Sequence, residues 1–366
     1  MSYHAAVVEW EQARAQRDNG VDLSLAKKKS AAETKCEVTT VRQVCDTYLA
    51  GHIKHRKPKG QAEVTRIFKN MLTGIENLPA DQVTRKVAFS HIKKYEDTPV
   101  LASALRAELG AAWDYCLDSG DLPDNTPNWW RQILKGKLKT KGKVLGGKRS
   151  GKATRALSPS ETGEVIRWLP NFSRNIQDIL TLYLWTGTRG AESVAMMGSE
   201  VSEEATGLWW TIPKIKTKNA RHEDATDHRV PLIGRAAEVV RSRKKEYGEG
   251  YLFPSPSENL QHIEQKAVSV GVWYHMPYCE TRKEEYRPRL PVTHWTPHDL
   301  RRTARTFLSS LGCPVYVAEV ILGHMLKGVE RAYNRYTFDK ERLEWLGKLD
   351  KYLEKLANAR PVVAES

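Results

Sequence analysis

The sequence predicts a mainly α protein with a small antiparallel β-sheet, built as two domains joined by a basic linker. Three observations carry that expectation. Apolar residues recur at helical spacing from Thr39 to about Leu134 and again from Pro297 onward. Two short β-rich runs, Leu208 to Ile212 and Arg229 to Ile233, flank a polar, lysine-rich stretch at 214–228 and read as a hairpin with a long tip. Between Arg131 and Glu161 the acidic residues vanish while lysines alternate with glycine and small residues.

Residues 1–37 read as a polar helix, roughly Ala5 to Arg17, and a charged linker, too polar to build a core of their own. Residues 38–135 read as a helical bundle, because Val41, Val44, Cys45, Tyr48 and Leu49 keep helix spacing, as do Leu101, Leu105, Leu109, Ala112, Trp113 and Cys116. Residues 136–156 are the linker. Its neighbourhood holds Lys135, Lys137, Lys139, Lys141, Lys143, Lys148, Arg149 and Lys152, and charge of one sign gains affinity for a phosphate backbone by counterion release. The second domain, 157–340, opens at Ser158-Pro159-Ser160-Glu161, a capping box with proline at the first helical position. Residues 341–366 are a helix and tail, with Leu343, Leu346, Leu349, Leu353 and Leu356 on one face.

Composition narrows the function. The 366 residues carry 58 lysines and arginines against 44 acids, a net charge of +14, so a polyanionic partner comes first. The absence of an apolar run of about 18 residues argues against a membrane span. Five cysteines without a Cys-x-x-Cys pair support neither a disulfide framework nor a zinc ribbon, and read as reduced thiols in cytoplasm. His222, His228, Glu223 and Asp227 make a poor metal set, and no metal or cofactor is expected.

The chemistry concentrates in four short stretches. In Thr296-Pro297-His298-Asp299-Leu300-Arg301-Arg302, the threonine, proline and Asp299 fall at N-cap, N1 and N3, which places His298 and Arg301 on one face of a helix's first turns. Histidine exchanges protons near neutral pH and arginine forks onto phosphate oxygens, a pair suited to phosphoryl transfer. In Thr186-Gly187-Thr188-Arg189-Gly190-Ala191-Glu192 an arginine follows the end of a buried helix, with Glu192 placed to hold it. Leu322-Gly323-His324 is followed, nine residues after the histidine, by Tyr333. Lys214, Lys216 and Lys218 all lie on one arm of the hairpin.

In this order and spacing the motifs resemble the tyrosine recombinases, the phage integrase family. Ile212-Pro213, Thr217-Lys218-Asn219, Val230-Pro231-Leu232 and Ala332-Tyr333-Asn334-Arg335 are similar to prophage and genomic-island integrases. The resemblance covers roughly Val38 to Ala357. It implies a helical core-binding domain and a tyrosine-recombinase catalytic domain that together clamp duplex DNA. In such integrases a small arm-binding domain usually precedes these two, and the opening polar helix resembles what would follow it.

The resemblance also implies roles. Tyr333 matches the nucleophile that forms a 3'-phosphotyrosyl bond, with Tyr336 as its nearest rival. Arg189 and Arg301 match the arginines that grip the scissile phosphate. His298 matches the proton acceptor, His324 a donor to the phosphate, Glu192 a support, and Lys218 the general acid. The implied function is site-specific recombination that integrates or excises a mobile element. Implied partners are double-stranded DNA attachment sites, three further copies in a synaptic homotetramer, and an accessory directionality factor, at the nucleoid and away from any membrane. A type IB topoisomerase-like enzyme and a catalytically silent DNA-binding accessory protein are the alternatives. Two departures stand out: the hairpin tip Arg221-His222-Glu223-Asp224-Ala225-Thr226-Asp227, and Gly198, where relatives often carry tryptophan and where glycine is expected to cost packing. The C-terminal helix is expected to dock on a neighbouring subunit.

Overall fold

The computed structural model describes residues 3–19, 39–140, 142–150, 155–325 and 336–359. It divides into two compact units, Met1–Lys141 and Gly142–Ser366.

In the first unit, the polar helix α1 spans Tyr3–Asp18. The bundle follows as α2 (Val41–Gly51), α3 (Pro58–Met71), α4 (Arg85–Lys93), α5 (Pro99–Asp118) and the single turn α6 (Trp129–Gln132). Local signals explain the starts. Thr40 and Gln43 form a reciprocal capping box on α2, and prolines open α3 and α5 where a missing N–H costs nothing. The core closes on Trp113 and Trp130, both fully buried and packed edge to face at 5.6 Å.

The second unit begins with a hairpin, β1 (Lys143–Leu145) antiparallel to β2 (Lys148–Ser150), turning on Gly146 and Gly147, which both have positive φ. This corrects the expectation that 136–156 is tether throughout. The hairpin is anchored: His294 Nε2 lies 2.8 Å from the Leu145 carbonyl oxygen, and Tyr278 packs beside Gly146.

Helix α7 (Pro159–Trp168) starts at the Ser158–Glu161 capping box. Helix α8 (Arg174–Thr186) is the central rod, buried from Ile179 to Thr186, and stops at Gly187 with φ 66°. The short α9 (Gly190–Val194) leads to a three-stranded antiparallel sheet in the order β3 (Val201–Glu204), β4 (Gly207–Ile212), β5 (His228–Leu232), with Trp210 opposite both Val201 and Val230. The two strands expected from the sequence gain a third, Val201–Glu204, whose short polar run Ser202-Glu203-Glu204 carries no alternation to mark it. Helices α10 (Arg235–Tyr247), α11 (Gln265–Trp273), α12 (Pro297–Ser310), α13 (Val315–Ile321) and α14 (Asp339–Asn358) complete the unit.

Two further expectations are overturned. Gly198 does not leave packing undone: its N–H donates to the Gly250 carbonyl at 2.8 Å, and a Cβ would lie 1.8 Å from the Gly248 carbonyl oxygen. No larger residue fits that backbone approach. The C-terminal helix α14 belongs to its own unit, where Leu346, Leu349 and Leu353 are buried in the core. Its polar flank is tied down as well. Trp185 Nε1 donates to Asp350 at 2.8 Å, Arg235 forks onto Glu354, and Arg167 donates to the carbonyls of Leu356, Ala357 and Ala359.

Each fully buried leucine contributes about 1.5–3 kcal/mol, against a domain stability of about 5–15 kcal/mol. Ending the chain after Lys340 is therefore expected to abolish cooperative urea unfolding of the second unit, and Leu349→Ala to lower its stability by about 2–5 kcal/mol. A truncated chain that still melts cooperatively would place the helix outside the core.

Candidate active site

Two turns and one helix build the site. Gly187 ends α8 in a left-handed conformation, and a Cβ there would meet the Leu322 side chain at 2.8 Å. Buried hydroxyls stiffen this turn: Thr188 N–H donates to Thr186 Oγ1 at 3.2 Å, and Thr188 Oγ1 lies 2.8 Å from Ser193 Oγ. The second turn, Leu322-Gly323-His324, follows α13. Gly323 has φ 65°, and the His228 ring lies 2.7 Å from where its Cβ would be, so glycine is required twice over. The His228 ring in turn has Nε2 at 3.1 Å from the Ile321 carbonyl oxygen.

Helix α12 supplies the third component. Its capping box sets the start, with Asp299 accepting from the N–H and hydroxyl of Thr296 at 2.8 and 2.9 Å. Arg301, 5 % exposed, then donates to the Gly187 carbonyl at 2.6 Å, to the Leu322 carbonyl at 2.8 Å, and to His324 Nε2 at 3.0 Å. Among the described residues no carboxylate forms an ion pair with it. Burial, together with the positive charge of Arg189, pulls its pKa down to about 10, so it stays a cation at neutral pH.

Arg189 is held differently. Glu192, itself buried, accepts from the Arg189 backbone N–H and from its guanidinium, both at 3.0 Å, while Nη2 donates to the Gly323 carbonyl at 3.2 Å. His298 stands exposed at the start of α12, and its partial desolvation and the charges of Arg302 and Arg301 press its pKa below the ordinary histidine value. It is therefore neutral, and able to accept a proton, at pH 7.

The three hairpin lysines separate by their contacts. Lys214 Nζ donates to the Glu223 carbonyl at 2.8 Å, and Lys216 is bound to Glu200 and to the Ala195 carbonyl. Lys218 carries no hydrogen bond or ion pair among the described residues and lines a cavity of about 710 Å³ with Arg189, His298, Arg301 and His324. Arg155, Arg221, His222, Arg302 and Arg305 line it too.

The structure thus brings together Arg189, Lys218, His298, Arg301, His324 and Glu192. Tyr333, Lys141 and Lys152 lie outside the described residues. Tyr336 is described: it is exposed, its hydroxyl donates to Glu341 at 3.3 Å, and that carboxylate raises the phenol's pKa. Of the basic stretch, Lys135, Lys137 and Lys139 are exposed in the first unit, Lys148 is exposed on β2, and Lys143 and Arg149 sit on the β1–β2 ladder.

Sequence reasoning missed Glu319. Its carboxylate takes His324 Nδ1 on one oxygen and Arg305 Nε on the other, the latter at 2.9 Å. That fixes Nδ1 as the protonated nitrogen and turns Nε2 toward Arg301. As the lone acid in α13, five residues before His324, Glu319 was visible as a candidate partner. His228 was also missed as a site residue. Fully buried, with the positive charge of Arg342 nearby, it has its pKa pushed down to about 3.

An unfolded histidine takes up its proton near pH 6.5, whereas folded His228 refuses it until about pH 3. Its contribution to stability is intact above pH 6.5 and drains away as pH falls toward the lower value, by up to about 1.4 kcal/mol per pH unit. Urea unfolding between pH 7.5 and 5 is expected to lose stability more steeply for the wild type than for His228→Leu; equal slopes would contradict the assignment.

No protein-family model matches the chain, and no curated protein matches it in sequence. Solved structures do match. The integrase of transposon Tn1549, bound to transposon right-end DNA, aligns over 83 % of this chain and 98 % of that one at 16 % identity, with a TM-score of 0.56. A lambda integrase tetramer bound to a Holliday junction aligns over 90 % of each chain at 15 % identity and 0.57, and a lambda integrase dimer on a COC' core site over 78 % and 96 % at 16 % and 0.54. At such identities it is the fold that is shared, and the chain has the tyrosine-recombinase fold of these integrases.

Proposed function

We propose that the protein is a site-specific DNA recombinase that integrates or excises a mobile element by cutting and rejoining duplexes through a 3'-phosphotyrosyl intermediate. The observation that carries this reading is the convergence of Arg189, Arg301, His298, His324 and Lys218 on one cavity, with both guanidinium groups held by the main-chain carbonyls of two turns. Two rigid guanidinium groups neutralise a phosphodiester whose charge grows in the transition state.

In this reading the Tyr333 hydroxyl attacks the scissile phosphorus. The new bond joins its oxygen to phosphorus, and the bond from phosphorus to the 5'-oxygen breaks. Neutral His298 accepts the tyrosine proton, and the Lys218 ammonium gives one to the departing 5'-oxygen. The linkage keeps the bond energy for rejoining, so neither nucleotide nor metal enters the mechanism. Exchange between two duplexes calls for four protomers, and the tetramer that lambda integrase forms on a Holliday junction supports that stoichiometry here. The basic residues Lys135, Lys137, Lys139 and Lys148 are proposed contacts to the DNA backbone.

A nicked suicide duplex resolved on a denaturing gel tests the reading. Wild type and Tyr336→Phe are expected to yield a protein-linked 3' end, with or without EDTA, and Tyr333→Phe to bind the same DNA while yielding none. An adduct that survives in Tyr333→Phe, or that requires magnesium, would contradict it.

A further inference from the structure

The turn that carries Lys218 is fastened along its length, and the fastenings differ in where they lead. Lys214 N–H donates to Asp227 at 2.7 Å, across the hairpin. Thr217, 3 % exposed, donates its hydroxyl to the Lys214 carbonyl at 2.9 Å, and the same oxygen accepts from Asn219 N–H at 3.2 Å. Lys216 reaches down to Glu200 and the Ala195 carbonyl. The Asp227 and Thr217 contacts shape the turn within the hairpin, and Lys216 joins it to the end of α9.

Asn219 is the one among them that reaches the Gly323 turn. Its amide Nδ2 donates to the Gly323 carbonyl at 3.1 Å, 104 residues away. That carbonyl is the one to which Arg189 Nη2 donates, at 3.2 Å. A carbonyl oxygen has two lone pairs, and here both are used: one by an arginine that faces the cavity, one by the neighbour of the lysine that faces it. The carbonyl itself is held in place by the left-handed Gly323 backbone seated on the buried His228 ring.

Lys218 is exposed at the end of a four-carbon stem with several rotors. Proton transfer to a leaving oxygen requires its ammonium within hydrogen-bond reach at the moment of cleavage. Lys216 ties the turn to the far end of α9, and among the described residues the Asn219 bond ties it to the carbonyl that Arg189 itself engages.

We infer that Asn219 is a positioning residue which, by bonding to the Gly323 carbonyl that Arg189 also engages, sets the Lys218 turn in register with the phosphate site. The inference rests on the reading of Lys218 as general acid given above. It goes beyond that reading by assigning the accuracy of proton delivery to Asn219, whose side chain lines the same cavity beside Lys218.

The test uses the full-length chain and two suicide duplexes, one ordinary and one with sulfur replacing the bridging 5'-oxygen, whose thiolate leaves without a proton. Asn219→Ala and Asn219→Leu, the second keeping the branched shape without the donor, are compared with Lys218→Ala. Both Asn219 variants are expected to cleave ordinary DNA about ten- to a hundredfold more slowly than wild type, to cleave the thiolate-leaving duplex at close to the wild-type rate, and to match wild type in DNA binding and thermal midpoint. Equal losses on both duplexes would mean that Asn219 acts through Arg189 or the fold, and no loss on either would mean that the bond is idle; each overturns the inference while leaving the proposed reaction intact. If Lys218→Ala itself gains nothing from the sulfur substitution, the acid assignment falls and this inference with it.

Discussion

The arrangement depends on the burial of one cation. Arg301 lies inside the second unit with main-chain carbonyls of two separate turns as its acceptors, and no described carboxylate neutralises it. A buried charge without a direct ion pair is costly, and here its cost is offset by the carbonyls of the Gly187 and Leu322 turns and by the nearby charges of Glu192 and Glu319. Removing either turn would strip a partner from the guanidinium. The same contacts orient the charge toward the cavity, so the interaction that ties these segments together also prepares the site for an anion.

Around that cation the supporting groups work in layers. His228 seats Gly323, Gly323 offers its carbonyl to Arg189 and Asn219, and Glu319 fixes the tautomer of His324 while bonding Arg305. The surplus positive charge of the cavity is tempered by carboxylates set one step back: Glu192 behind Arg189, Asp299 beside Arg302, Glu319 beside Arg305. Each neutralises its own arginine from the side, and Arg301, without an ion pair among the described residues, is held by main-chain carbonyls.

Much of this was legible in the sequence because the signals are local. The capping boxes at Ser158 and Thr296 fixed two helix starts, and Thr186-Gly187-Thr188-Arg189 announced a helix stop with an arginine beyond it. Other features depend on contacts distant in the chain. The partner of Gly198 is the backbone near Gly248, and the amphipathic face of α14 could cover either its own unit or another copy until Trp185, Arg235 and Arg167 were seen to hold it. The three hairpin lysines differ through contacts with Glu200, Ala195 and the Glu223 carbonyl, none of which a charge pattern identifies. The Gly146-Gly147 turn is a different case: it is a plain hairpin signal, overlooked because the lysines around it drew the reading toward a tether.

In the proposed reaction Arg189 and Arg301 are held rigidly to match the negative charge of a scissile phosphodiester. The most direct measurement replaces that phosphate with an uncharged methylphosphonate and compares cleavage by wild type, Arg189→Ala and Arg301→Ala, each first confirmed folded by its thermal midpoint. A site built to match charge predicts that the alanine variants cleave the neutral substrate better than the ordinary one, since the charge they no longer offset is gone. Variants that fail equally on both substrates would contradict the account and reduce the two arginines to structural ties.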